Sequence, residues 1–180
     1  MNVIPSRLKD CVIIEPKVFG DHRGFFLETF QAARYKEQAG INRAFVQDNH
    51  SRSAQGVLRG LHFQVSKPQG KLVRVVRGEV FDVAVDLRRE SPTFGQWEGV
   101  YLSEDNKRQF WVPPGFAHGF VVVSDVADFE YKCTDYYDPT DEGAIRWDDP
   151  ELGIEWPAGI ETKLSEKDAN APSFREFCES

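Results

Sequence analysis

The chain has 180 residues, 41% hydrophobic and 28% charged, and a formal net charge of −7. These are ordinary globular values: they exclude wholesale disorder and predict a single domain over residues 1–180 with a sizeable buried core. The acidic balance argues against a nucleic-acid partner, because no cluster of lysine or arginine is large enough to reverse it locally, yet it permits a small phosphorylated ligand, which needs only a few well-placed arginines.

Short apolar runs separated by turn residues follow one another along the chain. Val12, Ile13 and Ile14 form the first. The turn-rich Gly20-Asp21-His22-Arg23-Gly24 precedes a strand predicted over residues 25–30. Residues 31–38 are the one good internal helix candidate, stopped by Gly40. Strands are then predicted over residues 44–49, 57–65, 71–77, 79–87, 96–102, 108–112, 116–123 and 129–134. Many short strands at this spacing make an all-β antiparallel sandwich or barrel. Residues 147–180 are rich in turns and charge; they are expected to wrap the barrel, with an end that frays. Fourteen phenylalanines and four tryptophans supply either a thick core or an aromatic-lined pocket.

Two strands show which side chains share a face. In Val80-Phe81-Asp82-Val83-Ala84-Val85-Asp86, the residues Phe81, Val83 and Val85 lie on one side and Asp82, Ala84 and Asp86 on the other. In Lys71-Leu72-Val73-Arg74-Val75-Val76, Lys71 shares a face with Val73 and Val75 while Arg74 points away. Lys71 is therefore expected inside the barrel.

Cys11, Cys133 and Cys178 form no Cys-x-x-Cys pair, and their number is odd, which argues against a disulfide scaffold or a structural zinc and fits a reducing compartment. The first ten residues lack the apolar core of a signal peptide, and no apolar run approaches the ~20 residues that cross a bilayer. A cytoplasmic location without membrane attachment is expected.

His62 stands in Leu58-Arg59-Gly60-Leu61-His62-Phe63-Gln64, walled by apolar residues with an arginine upstream. It reads either as a half-buried histidine satisfied within a sheet or as a general base, neutral enough at cytosolic pH to accept a proton. A base in a sheet needs a partner to fix its tautomer. Asp168 is a candidate, although Ser165-Glu166-Lys167-Asp168 is also a capping-box pattern, and spacing alone favours the cap. Lys71 is either a strand-edge lysine or a fixed charge for an oxyanion. His118, after the rigid Pro113-Pro114-Gly115 turn, either packs in a hairpin or enters a pocket. Tyr131, Tyr136 and Tyr137 read by default as packing groups, but a tyrosine opposite a histidine base could return a proton to the far face of a substrate. Arg23 and Arg59 could grip phosphates, and Gln47-Asp48-Asn49-His50 could offer amide contacts to a base or sugar. A metal-binding cupin wants a His-x-His pair; here Gln64 stands where the second histidine would fall, leaving too few ligands for a firm metal site. No P-loop or Gly-x-Gly-x-x-Gly occurs.

These segments together resemble the dTDP-4-dehydrorhamnose 3,5-epimerase family. The matching text runs nearly the whole chain: Asp21-His22-Arg23-Gly24-Phe25-Phe26, Gln47-Asp48-Asn49-His50-Ser51, Leu58 to Gln64, Gln69 to Val75, Gly78 to Asp86, Ser91-Pro92-Thr93-Phe94-Gly95, Pro114 to Phe120 and Tyr131-Lys132. The resemblance implies a cupin-type jelly roll without metal or cofactor. It implies inversion at C3 and C5 of dTDP-4-dehydro-6-deoxy-D-glucose, with His62 as base, Tyr131 as acid, Asp168 as the partner of His62, and Lys71 at the ketone oxygen. Arg23 and Arg59 would bind the diphosphate; Phe26 could stack on thymine; Glu28, Gln47, Asn49, His118, Glu142 and Lys167 would complete the substrate site. Asp82 would be a polar residue inside the barrel. The family also implies a homodimer sharing N-terminal strands, through which Arg23, Phe26 and Glu28 reach a nucleotide held by the neighbouring subunit. Two alternatives keep the same fold: an epimerase inverting C3 alone, and a non-catalytic nucleotide-sugar binding protein.

Overall fold

The computed structural model describes residues 1–180. Its elements run β1 (Asn2–Pro5), β2 (Val12–Glu15), β3 (Val18–Asp21), β4 (Gly24–Leu27), α1 (Ala32–Ala39), β5 (Gln47–Ala54), β6 (Leu58–Gln64), β7 (Lys71–Arg77), β8 (Glu79–Asp86), β9 (Trp97–Ser103), β10 (Gln109–Val112), β11 (Phe116–Val122), β12 (Val126–Cys133), β13 (Glu142–Ala144), α2 (Glu166–Ala169) and α3 (Phe174–Glu179). Two antiparallel sheets carry the fold, one of six strands in the order β1-β2-β10-β7-β12-β5 and one of five in the order β13-β6-β11-β8-β9. From β5 to β13 the chain crosses between them at every step except β8–β9, which gives a cupin-type jelly roll. β3 and β4 stand apart as a hairpin.

Val73 and Val75 of β7, Val80 and Ala84 of β8, Phe116 and Phe120 of β11 and Phe129 of β12 meet between the sheets. A second core lies on the outer face of the five-stranded sheet, where Leu58, Leu61, Phe81, Val83 and Val85 are covered by Trp147, Trp156, Phe174 and Phe177 from the C-terminal segment. α1 covers the other sheet, setting Tyr35 and Ala39 against Ile14, Leu72 and Trp111. β8 is consequently buried on both faces, and its inner face is the one that carries Asp82 and Asp86. Asp86 survives there because Arg88, Ser91 and Thr93 all donate to it, at 2.6–3.0 Å. Burial pushes its carboxyl up, but those bonds outweigh burial and hold it at about 2.

The predicted helix is α1, with Gln31 accepting from Arg34 N at 2.6 Å and Gly40 closing it at φ +70°. Three expectations are corrected. The strand expected over residues 25–30 is β4 and stops at Leu27. The strand expected over residues 44–49 starts at Gln47 and runs on to Ala54. The C-terminus, expected to fray, forms a tied-down helix instead: Ser173 and Glu176 close a reciprocal capping box on α3, and Arg89 donates to the Phe177 and Cys178 carbonyls, each at 2.9 Å. Phe177 then meets Phe63 edge-on, with centroids 5.5 Å apart.

Candidate active site

A cavity of about 650 Å³ opens at the edge of the inter-sheet core, within the size range of small-molecule sites. The five-stranded sheet contributes Arg59, His62 and His118 to its wall; the six-stranded sheet contributes Asn49, Lys71 and Tyr131; the C-terminal segment brings Lys163, Lys167 and Asp168 across the mouth.

Strict alternation along β6 would send Arg59 and His62 to opposite faces. The strand breaks that rule at Gly60, where φ is +118°. There β6 and β11 come so close that a Cβ on Gly60 would lie 2.6 Å from Gly119 Cα, and one on Gly119 would lie 2.6 Å from the Arg59 carbonyl oxygen. The register between the strands shifts at the same place, between His118 and Phe120. Leu58 and Leu61 can then both face the outer core while Arg59 and His62 both face the cavity.

Around His62 the geometry is close. Its Nε2 donates to Asp168 Oδ1 at 2.6 Å, and Asp168 Oδ2 accepts from the Gly60 amide at 3.2 Å. Burial pushes the Asp168 carboxyl up, but the bonds from His62, Gly60 and Ser165 prevail and lower it. An ionised acceptor at Nε2 leaves the lone pair on Nδ1. The cap and the partner are both real: Ser165 Oγ accepts from the Asp168 amide at 3.1 Å, capping α2, while the Asp168 carboxylate turns to His62 instead of returning to Ser165.

Glu142 Oε1 lies 3.8 Å from His62 Nδ1 and 3.1 Å from Lys167 Nζ, and its other oxygen accepts from the Tyr137 hydroxyl at 2.6 Å. Burial pushes Glu142 up, and the Tyr137 and Lys167 contacts more than offset it. Lys71 points into the interior with its Nζ 5.7 Å from the Tyr131 ring centroid and no carboxylate within ion-pair reach. Burial lowers its pKa, against the opposing pull of Cys133, Asp82 and Glu142. Burial raises that of Tyr131, against the Asn49 amide. His118 does both things proposed for it: its Nε2 meets both oxygens of the buried Asp82, at 3.0 and 2.8 Å, its ring stacks on Phe129, and it lines the cavity. Gln47 sits in an adjoining pocket of about 200 Å³, donating to Asn49 Oδ1 at 3.1 Å.

Three expected site residues lie elsewhere in this chain. Arg23 and Phe26 line a shallow depression on the β3–β4 hairpin, with Arg23 forked onto Asp21 and Phe26 66% exposed. Glu28 is paired with Arg34. Two cavity residues escaped the sequence reading: Tyr137, which looked like a packing group, and Lys163, whose only signal is a charge in a turn-rich stretch. Gln64 is buried, donating to the carbonyls of Lys67 and Tyr136 at 2.8 and 3.1 Å and accepting from the Asp138 amide at 2.8 Å.

An imidazole and a phenol thus stand on opposite sheets across one cavity, with an ammonium beside the phenol. The chain that carries this arrangement is similar to known proteins. Residues 5–176 match the family model described as dTDP-4-dehydrorhamnose 3,5-epimerase. A dTDP-4-dehydrorhamnose 3,5-epimerase of Salmonella typhimurium is 59% identical, covering 96% of this chain and 94% of the relative. The crystal structure of a dTDP-6-deoxy-D-glucose-3,5-epimerase from Legionella pneumophila, in complex with dTDP-4-keto-L-rhamnose, is 62% identical with a TM-score of 0.93, covering 96% of this chain and 92% of that one. A 3'-monoepimerase from Streptomyces bikiniensis, in complex with dTDP-quinovose, is 34% identical with a TM-score of 0.88, covering 94% and 86%.

Proposed function

The chain belongs to the dTDP-4-dehydrorhamnose 3,5-epimerase family, and from that premise we propose that its cavity inverts C3 and C5 of dTDP-4-dehydro-6-deoxy-D-glucose to give dTDP-4-dehydro-L-rhamnose. The observation that carries this is the opposition of His62 and Tyr131 on the two sheets around one cavity. Epimerisation beside a ketone removes a proton from one face of a carbon and returns one to the other, so acid and base must flank the sugar.

The hydrogens at C3 and C5 are acidified by the C4 carbonyl. His62 Nδ1 takes the proton, and Asp168 at Nε2 stabilises the imidazolium that forms. The electron pair moves onto the C4 oxygen as an enolate. Lys71, held in the interior without a carboxylate of its own, is available to that charge, and such a donor contributes about 10²–10³ in rate. Tyr131 delivers a proton to the far face; burial raises its pKa further above the ordinary phenol value. Neither the base nor the lysine reaches the ~10⁶ or more usual for enzymes, so the remote nucleotide must supply positioning. No redox change occurs, since the ketone itself activates both carbons.

Arg59, Asn49, Gln47, His118, Glu142 and Lys167 serve as substrate contacts from within the chain. Arg23, Phe26 and Glu28 act in a homodimer, carried on the β3–β4 hairpin and the residue after it to the cavity of a second copy. That hairpin exposes Phe19, Phe25 and Phe26, with more than half of each accessible, an apolar projection suited to a partner surface.

Wash-in of solvent deuterium, followed by proton NMR of the product, tests the reading. Label is expected at both C3 and C5 with the wild type and at neither with His62→Ala. Exchange in His62→Ala at near wild-type rate would remove His62 as the base, and label confined to C3 would make the protein a 3-epimerase.

A further inference from the structure

The cations on the cavity wall are not equally committed. Lys167 is neutralised by Glu142 at 3.1 Å. Arg59 donates only to the neutral Ser53 hydroxyl, at 3.1 and 3.2 Å. Lys71 and Lys163 have no carboxylate within 4 Å. Three positive charges around one cavity therefore lack an anion, in a protein whose net charge is −7. An exposed lysine usually finds or tolerates solvent, but the backbone of Lys163 is not free to drift. Its amide donates to the Gly56 carbonyl at 2.8 Å, its carbonyl accepts from the Leu58 amide at 3.0 Å, and it bridges Val57 in parallel register. These bonds fasten Lys163 beside the start of β6, next to the residue that projects Arg59 into the cavity.

The ledger matches the ligand. Given that the cavity takes a dTDP-sugar, as proposed above, the bound molecule brings two phosphate charges and develops a third negative charge on the C4 oxygen. Lys71, deep in the interior, is committed to that oxygen. We propose that Lys163 is a further phosphate-binding residue, gripping the diphosphate together with Arg59 from the rim of the same chain. A lysine suits this place, because an ammonium on a flexible stem serves a phosphate as a point charge without demanding a fixed fork geometry. Its contribution is to binding and encounter, as expected of a rim charge.

The test compares calorimetric binding of dTDP and of thymidine with steady-state turnover of the dTDP-keto sugar. Lys163→Ala is expected to weaken dTDP about 3- to 10-fold, to change thymidine by less than about twofold, and to raise KM in step with the loss of dTDP affinity while kcat moves little. Lys163→Arg should recover most of the affinity, and Lys163→Glu should lose more than the alanine. Lys36→Ala, an equal loss of charge on α1 away from the cavity, controls for net charge. Wild-type dTDP affinity in Lys163→Ala, or an equal loss for thymidine, overturns the proposal. Failure of the wild type to turn over any dTDP-keto sugar would instead overturn the functional reading, and the dTDP-against-thymidine comparison would still judge Lys163.

Discussion

His62 and Asp168 are 106 residues apart in the chain and 2.6 Å apart in space. The contact depends on a strap that starts after β13 and crosses the five-stranded sheet. Trp147 and Trp156 bury one stretch of it, the Val57–Lys163 bridge fixes another, and Ser165 starts the single turn of α2 that presents the carboxylate. The outer core thus sets where Asp168 stands relative to β6 and His62.

Asp168→Asn tests that relationship. An asparagine amide that donates to Nε2 forces the proton onto Nδ1, removing the lone pair needed for abstraction. We expect deuterium exchange and turnover to fall by about 10²–10⁴, with circular dichroism unchanged because the Ser165 cap uses the backbone of residue 168. Wild-type exchange rates in this variant would show that the carboxylate does not set the tautomer.

Tyr131→Phe separates the two half-reactions. Abstraction by His62 survives, whereas protonation from the six-stranded sheet fails. Inversion should slow by about 10²–10⁴ while wash-in at the original stereochemistry continues. Equal loss of exchange and inversion would remove Tyr131 as the acid.

How much of this was legible in the sequence depends on what each strand faces. β7 and β8 could be read from alternation because their neighbours are apolar. β5 could not be followed past Asn49, since on its inner side Ser51 lines a polar cavity and Ser53 accepts from Arg59, while its outer side is charged, leaving no apolar period. β1 and β13, at four and three residues, are too short for a period to show. Period-2 counting would have split Arg59 from His62; only the Gly60–Gly119 approach reunites them. Spacing also set the two roles of Ser165-x-x-Asp168 against each other, although the backbone amide can serve the cap while the carboxylate serves the histidine. The capping box of α3, by contrast, was available as Ser173-Phe174-Arg175-Glu176, and its hydrophobic partners Phe63 and Phe177 are far apart in the chain.

Lys71→Met sets activity against stability. Burial lowers the Lys71 pKa, so the unfolded chain holds this proton more tightly than the fold does, and the charged form disfavours folding at neutral pH. The sign follows: the penalty is present at neutral pH and fades as pH rises through the lowered value toward the usual lysine range. Methionine fills similar volume without the charge. We expect about a 10²–10³-fold fall in kcat together with a gain of about 1 kcal/mol in unfolding free energy at pH 7, measured by urea denaturation. A loss of stability would mean that the ammonium has structural partners beyond its interior position.

Asp86→Asn is expected to act on the fold alone. Asp86 is fully buried on the inner face of β8, and its pKa of about 2 lies below the ordinary 3.8. The unfolded chain therefore takes up the proton first as pH falls. The stabilisation is complete above about 4 and is lost between there and about 2, and the shift corresponds to about 2 kcal/mol. Asparagine has no such titration, and it leaves Arg88 with Asp10 as its remaining carboxylate, 2.7 Å away. The variant should unfold at lower urea than the wild type at pH 6, and the gap should narrow by about 2 kcal/mol on going to pH 2, with kcat of the folded fraction unaltered. A gap independent of pH would mean that Asp86 is not held ionised by the Arg88, Ser91 and Thr93 donors, and that its burial on β8 is tolerated for another reason.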